Sequence, residues 1–428
     1  MNRSIKVRGL LLLAALAAAL LAGNAAAESL QQAWDTALSV DRGLKASRES
    51  SAAAASLLEA AKSARLPNVA LEAGYTALGE TPAAKVDFFG QMPLAQKGSA
   101  AYRAMATLPL YTGGRIERGI DAATAGMEAA RLGESADAQN LKLRVADAYV
   151  SVLRAGRMLK VAESHVTSLQ AHARDVGNLH EQGMVAKSDL LSVRVALADA
   201  NQRKLQVANG LDLARAAYNR LLGRPLDQPV SLDDLAPEAT QAQFPVLTER
   251  ALAQRSELAA LARQIEALRH QAAAVRGETA PQVALSGGYG YQENRYQVHP
   301  GQWMVTLGAK WNLFDGGVAG HRASAVERQV AALTEQRDEL ASIIALQVRQ
   351  TWLDVEETRK RLIVTQSAIA QAEENLLVAR DRYANGLSTH TEVLDAETLR
   401  TGSESNHANA LSDAALAGLR LKRATGEL

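Results

Sequence analysis

One pattern occurs twice in this chain: two short alternating segments, then a proline-free helical stretch with a heptad repeat. Any fold must use both copies in the same way. PNVALEAGY at Pro67–Tyr75 returns as PQVALSGGY at Pro281–Tyr289, an offset of 214, and Ala37–Leu44 returns as Ala251–Leu258 at the same offset. Further along the offset falls to 203: LYTGG at Leu110–Gly114 matches LFDGG at Leu313–Gly317, and Gly183 matches Gly386. The first copy therefore holds eleven extra residues between Tyr75 and Leu110, within GETPAAKVDFFGQMPLAQKGS at 79–99. The halves fall at 28–222 and 247–428, each reading helix, two strands, long helix, return helix. Residues 223–246, with four prolines, form the link between them.

From Gly114 to about Gln182 apolar positions step alternately by four and three, through Leu141, Val145, Ala148, Val152, Ala155, Leu159, Ala162, Val166, Leu169, Ala173 and Val176. A period of 3.5 held this long predicts a coiled-coil seam. The second copy keeps it from Ile344 through Val348, Thr351, Val355 and Thr358 to Leu376. At ~1.5 Å per residue each such helix is roughly 100 Å long. Gly183 and Gly386 end the long helices, and return helices are expected over about Ser188–Leu222 and Thr391–Thr425. Shorter helices, about Leu30–Leu66 and Leu247–Gly277, precede the strands. Gly119, Gly126 and Gly133, seven apart on one face, suggest close approach of a neighbouring backbone, against the plainer reading of tolerated surface glycines.

Four segments switch to a period of two. Val283, Leu285, Tyr289 and Tyr291 alternate with Gln282, Ser286, Gly288 and Gln292, and Trp303, Val305, Leu307 and Ala309 alternate with Gln302, Thr306 and Lys310. The first pair, around Val69–Thr76 and Tyr102–Leu108, behaves alike. Segments of about ten residues with one apolar and one polar face have the length of tilted transmembrane strands. Eleven of the seventeen aromatic residues fall between Tyr75 and Tyr111 or between Tyr289 and Phe314, as girdles at a membrane interface require. Four strands cannot close a barrel, for which about eight is the minimum, so closure needs several copies of the chain. Thr112-Gly113-Gly114 and Asp315-Gly316-Gly317 turn strand into long helix.

Arg3, Lys6 and Arg8 precede a short apolar run, Leu10–Gly23, and Ala25-Ala26-Ala27 supplies small residues for cleavage. Residues 1–27 thus read as an export leader cut between Ala27 and Glu28. Its loss takes the formal net charge from +1 to −2, leaving no basic field for nucleic acid. With no cysteine there is neither a disulfide framework nor a lipid-bearing thiol, and past the leader no apolar run reaches the ~18 residues of a spanning helix. A β-barrel remains as the spanning device. No phosphate loop, nucleophile elbow or zinc helix is present, so neither enzyme nor cofactor is expected. His165 and His172, seven apart, read as a solvated surface pair rather than metal ligands.

The duplication, the LYTGGR and LFDGG junctions, EQGMVAKSDLL at Glu181–Leu191 and RYANGLSTHTEVLDAE at Arg382–Glu397 together resemble the TolC-like outer-membrane efflux proteins. The resemblance runs over nearly the whole chain after the leader. It implies a mostly α fold with a membrane β portion: a homotrimer forming a twelve-stranded β-barrel on an α-helical coiled-coil tunnel, gated at its periplasmic tip. It also implies partners: outer-membrane lipid, a periplasmic adaptor and, through it, an inner-membrane transporter. On this resemblance Asp189 and Tyr383 occupy latch positions, Glu392 and Asp395 an acidic entrance ring, and the tips Gly183-Met184-Val185 and Gly386-Leu387-Ser388 the adaptor-docking knobs. Ser388 departs from relatives with a basic residue there. Acids in a first helical turn also simply complement the helix dipole. The rival class is a soluble periplasmic coiled-coil adaptor or scaffold, which two hairpins with aromatic-rimmed strands disfavour.

Overall fold

The computed structural model describes residues 27–237 and 242–428. The expected leader, apart from Ala27, lies outside the described residues, as do positions 238–241 of the proline-rich link. In chain order the elements are α1 (Leu30–Val40), α2 (Arg42–Ser63), β1 (Asn68–Ala77), β2 (Ala83–Val86), β3 (Gly90–Pro93), β4 (Gly98–Tyr111), α3 (Arg115–Glu181) and α4 (Lys187–Leu221). The second half follows with α5 (Phe244–Gln254), α6 (Ser256–Arg276), β5 (Gln282–Gln292), β6 (Gly301–Lys310), α7 (Val318–Ala384) and α8 (His390–Thr425). Both long helices have 67 residues.

The two expected short helices are each broken in two. At Asp41 the backbone leaves the helical region and the carboxylate accepts a hydrogen bond from the Leu44 N–H at 2.8 Å, which starts α2 as a new helix. At Arg255 the backbone is again extended, separating α5 from α6.

The chain divides into two compact units, each drawing on both sequence copies. Among the described residues the first comprises 27–46, the described part of Ser135–Arg255, and Ser342–Leu428. Its seam is the predicted one: Leu141, Val145, Val152, Val166, Leu169 and Val176 are buried in α3, as are Ile344, Val348, Val355 and Leu376 in α7. Thr358 sits in this seam because its hydroxyl donates to the Asp354 carbonyl at 2.7 Å, so burial does not leave that hydroxyl unpaired. Glu28, next to the first described residue, is fastened here. Arg224 grips both oxygens of the Glu28 carboxylate at 2.9 and 2.6 Å, Tyr218 donates to it at 3.0 Å, and Tyr149 donates to the carbonyls of Glu28 and Asp233.

The second unit, Ser47–Glu134 with Ser256–Ala341, contains a four-stranded antiparallel sheet in the order β1-β4-β5-β6. Its register turns the sequence alternation into two faces. Val69, Ala106, Gly287 and Val305 are aligned across the strands, and so are Leu71, Ala104, Tyr289 and Trp303. Between these rows, on the opposite face, lies Ala70, Met105, Gly288 and Met304; beyond it lies Glu72, Arg103, Gly290 and Gln302, where Arg103 and Glu72 form an ion pair at 3.3 Å. The apolar face is uncovered: Leu71 is 76% exposed and Leu307 69%. The outer edges of β1 and β6 pair with no other strand among the described residues. Strands β2 and β3 form a separate small hairpin within the extra segment 79–99, with Phe88 and Phe89 exposed near its turn.

All four junction glycines adopt positive φ: Gly113 at 67°, Gly114 at 80°, Gly316 at 70° and Gly317 at 83°. At Gly113 space also forbids a side chain, since a Cβ would lie 2.5 Å from the Gly277 carbonyl oxygen and from the Ala280 Cβ. Gly119, Gly126 and Gly133 differ: a Cβ on any of them meets nothing within 4 Å, so this chain itself does not supply the close approach their spacing suggested. Among the described residues no helix is long and apolar enough to cross a membrane.

Candidate functional site

The ends of α3, α4, α7 and α8 build the candidate site, and both of its turns are set by the same glycine geometry. Gly183 and Gly386 each sit at φ 73°. The following residue closes back onto the helix, Met184 N–H to the Leu179 carbonyl at 2.9 Å and Leu387 N–H to the Arg382 carbonyl at 2.8 Å. Met184 and Leu387 are thereby pushed out as exposed apolar side chains. Val185 instead turns inward against the core of Val176, Val193, Leu376, Tyr383, Val393 and Ala396.

The helices that leave the turns begin differently. Thr389 caps α8, accepting from the Glu392 N–H at 3.3 Å. Ser388 donates to the Glu392 carboxylate at 2.7 Å. That hydrogen bond, with those from Thr389 and the charge of Arg382, holds the Glu392 pKa below the usual carboxylate range despite some desolvation. Within one chain, then, Glu392 serves the start of its own helix, and Asp395 lies exposed three residues on. Ala186, at the matching position before α4, offers no side-chain cap. Thr389→Ala is expected to cost about 1 kcal/mol of α8 end stability, read as faster amide exchange at Glu392–Leu394 with α4 unchanged.

Tyr383 is buried, and its hydroxyl has no hydrogen-bond partner among the described residues. Burial first and then the charge of Asp189 push its pKa up. The two expected latch residues are thus near neighbours without a hydrogen bond in this chain.

Two features escaped the sequence reading. His172 is 5% exposed, so the expectation of a solvated surface pair fails. Its Nε2 lies 3.2 Å from Nδ1 of His390, the rings stacked at 11° with centroids 5.2 Å apart and Tyr383 edge-on to His172. His165 is tied elsewhere, its Nδ1 donating to Glu397 at 3.2 Å. Glu397 is the second feature. This carboxylate is 1% exposed and is also bonded by Ser168 at 2.7 Å, Arg400 at 2.7 Å and Arg380 at 3.4 Å. Burial alone would raise its pKa, but the hydrogen bonds from His165, Arg400 and Ser168 hold it down at about 2. Charge at heptad spacing was the available signal: His390, Val393, Glu397, Arg400 and Glu404 step by three and four along one stripe of α8.

Long helical hairpins closed by glycine turns, in a chain that also carries a four-stranded antiparallel sheet, define the fold of the outer-membrane exit channels. The chain matches the outer-membrane channel OprN at TM-score 0.80 with 21% identity, over 93% of this chain and 90% of that one. VceC from Vibrio cholerae matches at 0.79 with 19% identity, over 93% and 96%. The chain belongs to the outer membrane efflux protein family, whose model matches residues 33–224 and 247–427. By sequence it is 22% identical over 306 residues to the alkaline protease secretion protein AprF of Pseudomonas aeruginosa, covering 68% of this chain and 62% of AprF, less than two thirds of that relative. To the outer membrane protein TolC of Vibrio cholerae it is 22% identical over 303 residues, 69% of each chain.

Proposed function

We propose that the protein is the outer-membrane exit duct of a tripartite efflux or type I secretion system, a passive, non-enzymatic channel closed at its periplasmic tip. The open sheet carries this reading. A sheet with two unpaired edges and one uncovered apolar face is incomplete as a monomer. Pairing β1 of one copy with β6 of the next removes the edges, and three copies give a twelve-stranded barrel whose apolar face meets lipid and whose Glu72–Arg103 face meets water. Cleavage between Ala27 and Glu28 would leave Glu28 held by Arg224 and Tyr218 as the first residue of the exported chain.

In this reading the turns at Gly183-Met184-Val185 and Gly386-Leu387-Ser388 dock the periplasmic adaptor, through which an inner-membrane transporter supplies the energy. The buried Tyr383 hydroxyl beside Asp189 is the latch, ready to donate once the helix ends shift. Threefold symmetry gathers Glu392 and Asp395 into a ring of six carboxylates that favours cations. Membrane fractionation with cross-linking tests the assembly: a trimer in the outer-membrane fraction is expected, and a soluble monomer in the periplasmic fraction sinks it. For the ring, Glu392→Ala with Asp395→Ala is expected to lower cation selectivity and relieve divalent block in single-channel recordings. Unchanged selectivity rejects that role.

A further inference from the structure

We propose that the contact between His172 and His390 is a proton-operated catch, holding the four helix ends together when both imidazoles are neutral and releasing them when the pair is protonated. This rests on the reading of the tip as a gate. Every element of the tip contributes: His172 from α3, Asp189 from α4, Tyr383 from α7 and His390 from α8. The catch has room for one proton between Nε2 of His172 and Nδ1 of His390, one nitrogen donating and the other accepting at 3.2 Å. Protonating both rings would set two N–H groups head to head and bury two like charges in the apolar core around Val176, Val193 and Leu376.

The surroundings do little to absorb that charge. Asp175 and Glu397 favour the His172 cation and Arg380 opposes it. Glu397 is already engaged by Arg400, His165 and Ser168. Asp189 favours a charged His390, less strongly than burial opposes it. Burial, the adjacent His390 and Arg380 bring His172 from 6.5 down to about 4, and burial lowers His390 too. The packed tip is also under-satisfied, for the Tyr383 hydroxyl and Nε2 of His390 are both buried without a hydrogen-bond partner among the described residues. Separation of the helix ends hydrates both groups.

The sign follows from the lowered pKa values. Released imidazoles return to about 6.5, so the packed form is fully favoured above that pH and loses ground as pH falls from 6.5 toward 4. At pH 5 the shift of His172 alone moves the packed-to-released ratio by about thirtyfold.

Hydrogen exchange of the full-length protein in detergent at pH 7.5 and 5.0, corrected for intrinsic rates, tests this directly. Peptides over 172–193 and 376–396 are expected to lose at least tenfold in protection at pH 5.0, those around Tyr149 and Tyr218 to keep theirs, and His172→Gln with His390→Gln to abolish the difference. Equal protection of the wild-type tip at both pH values overturns the catch, as does a loss that persists in the double variant. Should the variant not fold, histidine NMR of the wild type decides: coupled titration well below 6.5 supports the catch, and two independent titrations near 6.5 refute it. Bilayer recordings separate this inference from the one beneath it. Conductance that rises on acidification supports both, a pH-independent conductance refutes the catch alone, and absence of any conductance refutes the channel while exchange still judges the catch.

Discussion

Glu397→Ala is expected to destabilise the unit that holds the tip by about 3–5 kcal/mol, the cost of removing one partner from a buried ionic cluster. The carboxylate joins three helices: His165 and Ser168 reach it from α3, Arg380 from α7, and Arg400 from α8 itself. Arg400 is buried too, and without Glu397 its side-chain partners among the described residues are Ser164 at 3.1 Å and Glu404 at 2.5 Å. A buried guanidinium left with one carboxylate partner instead of two, together with the loss of the Arg380, His165 and Ser168 contacts, is what makes the loss large. Glu397→Gln retains oxygen to accept hydrogen bonds and should lose less. Glu59→Ala, which breaks an exposed pair with Lys62 on α2, should stay within about 0.5 kcal/mol. Denaturant unfolding of the three variants orders these costs, and equal midpoints for Glu397→Ala and Glu59→Ala would show that the cluster holds nothing. The pH dependence has a definite sign. A carboxyl held at about 2 against its ordinary 4.5 contributes fully above 4.5, and that contribution drains away as pH falls from 4.5 toward 2.

The same cluster shows where sequence reasoning stops. Periodicity is a local property, so the seam through Leu141, Val145 and Val152, the glycine turns at Gly183 and Gly386 and the strand alternation around Val305 were all legible. Pairings between residues hundreds of positions apart leave no such trace. Ser168 meets Glu397 across 229 positions, and His172 meets His390 across 218. His172 lies one place before the predicted seam position Ala173, on a face that shares Leu169 and Val176 with the seam and adds His165 beside them. One seam per helix suffices for a two-helix coil, but a helix with neighbours on two sides buries a wider face. The breaks at Asp41 and Arg255 were missed for another reason. Neither site has a proline or glycine at the break itself, and at Asp41 the interruption is made by a carboxylate capping the next helix. At the candidate gate, the sequence identified Glu392 as an acid in a first turn, while its partner Ser388 became evident only from the fold.

Val305→Arg is expected to prevent assembly, whereas Thr306→Arg, one residue along the same strand, is expected to permit it. The register puts Val305 in the apolar row with Val69, Ala106 and Gly287, midway along β6. Thr306 belongs to the polar row with Ser286 and Thr107, whose hydroxyls approach to 3.4 Å. Aromatic residues lie toward both ends of the sheet, Tyr289 and Trp303 on one side and Tyr111 and Trp311 on the other, so Val305 falls inside the span they mark, one same-face row in from Trp303. An arginine on the lipid face costs up to about 2–4 kcal/mol per copy, or up to about 6–12 kcal/mol for three copies closing one barrel. On the polar face the same side chain stays in water and joins the charges already carried by Glu72 and Arg103. Outer-membrane recovery of cross-linked trimer measures the difference. The comparison holds strand, neighbouring position and introduced charge constant, so it isolates the face. Equal recovery of the two variants would mean that the apolar side of the sheet does not meet lipid, and the barrel reading would fall with it.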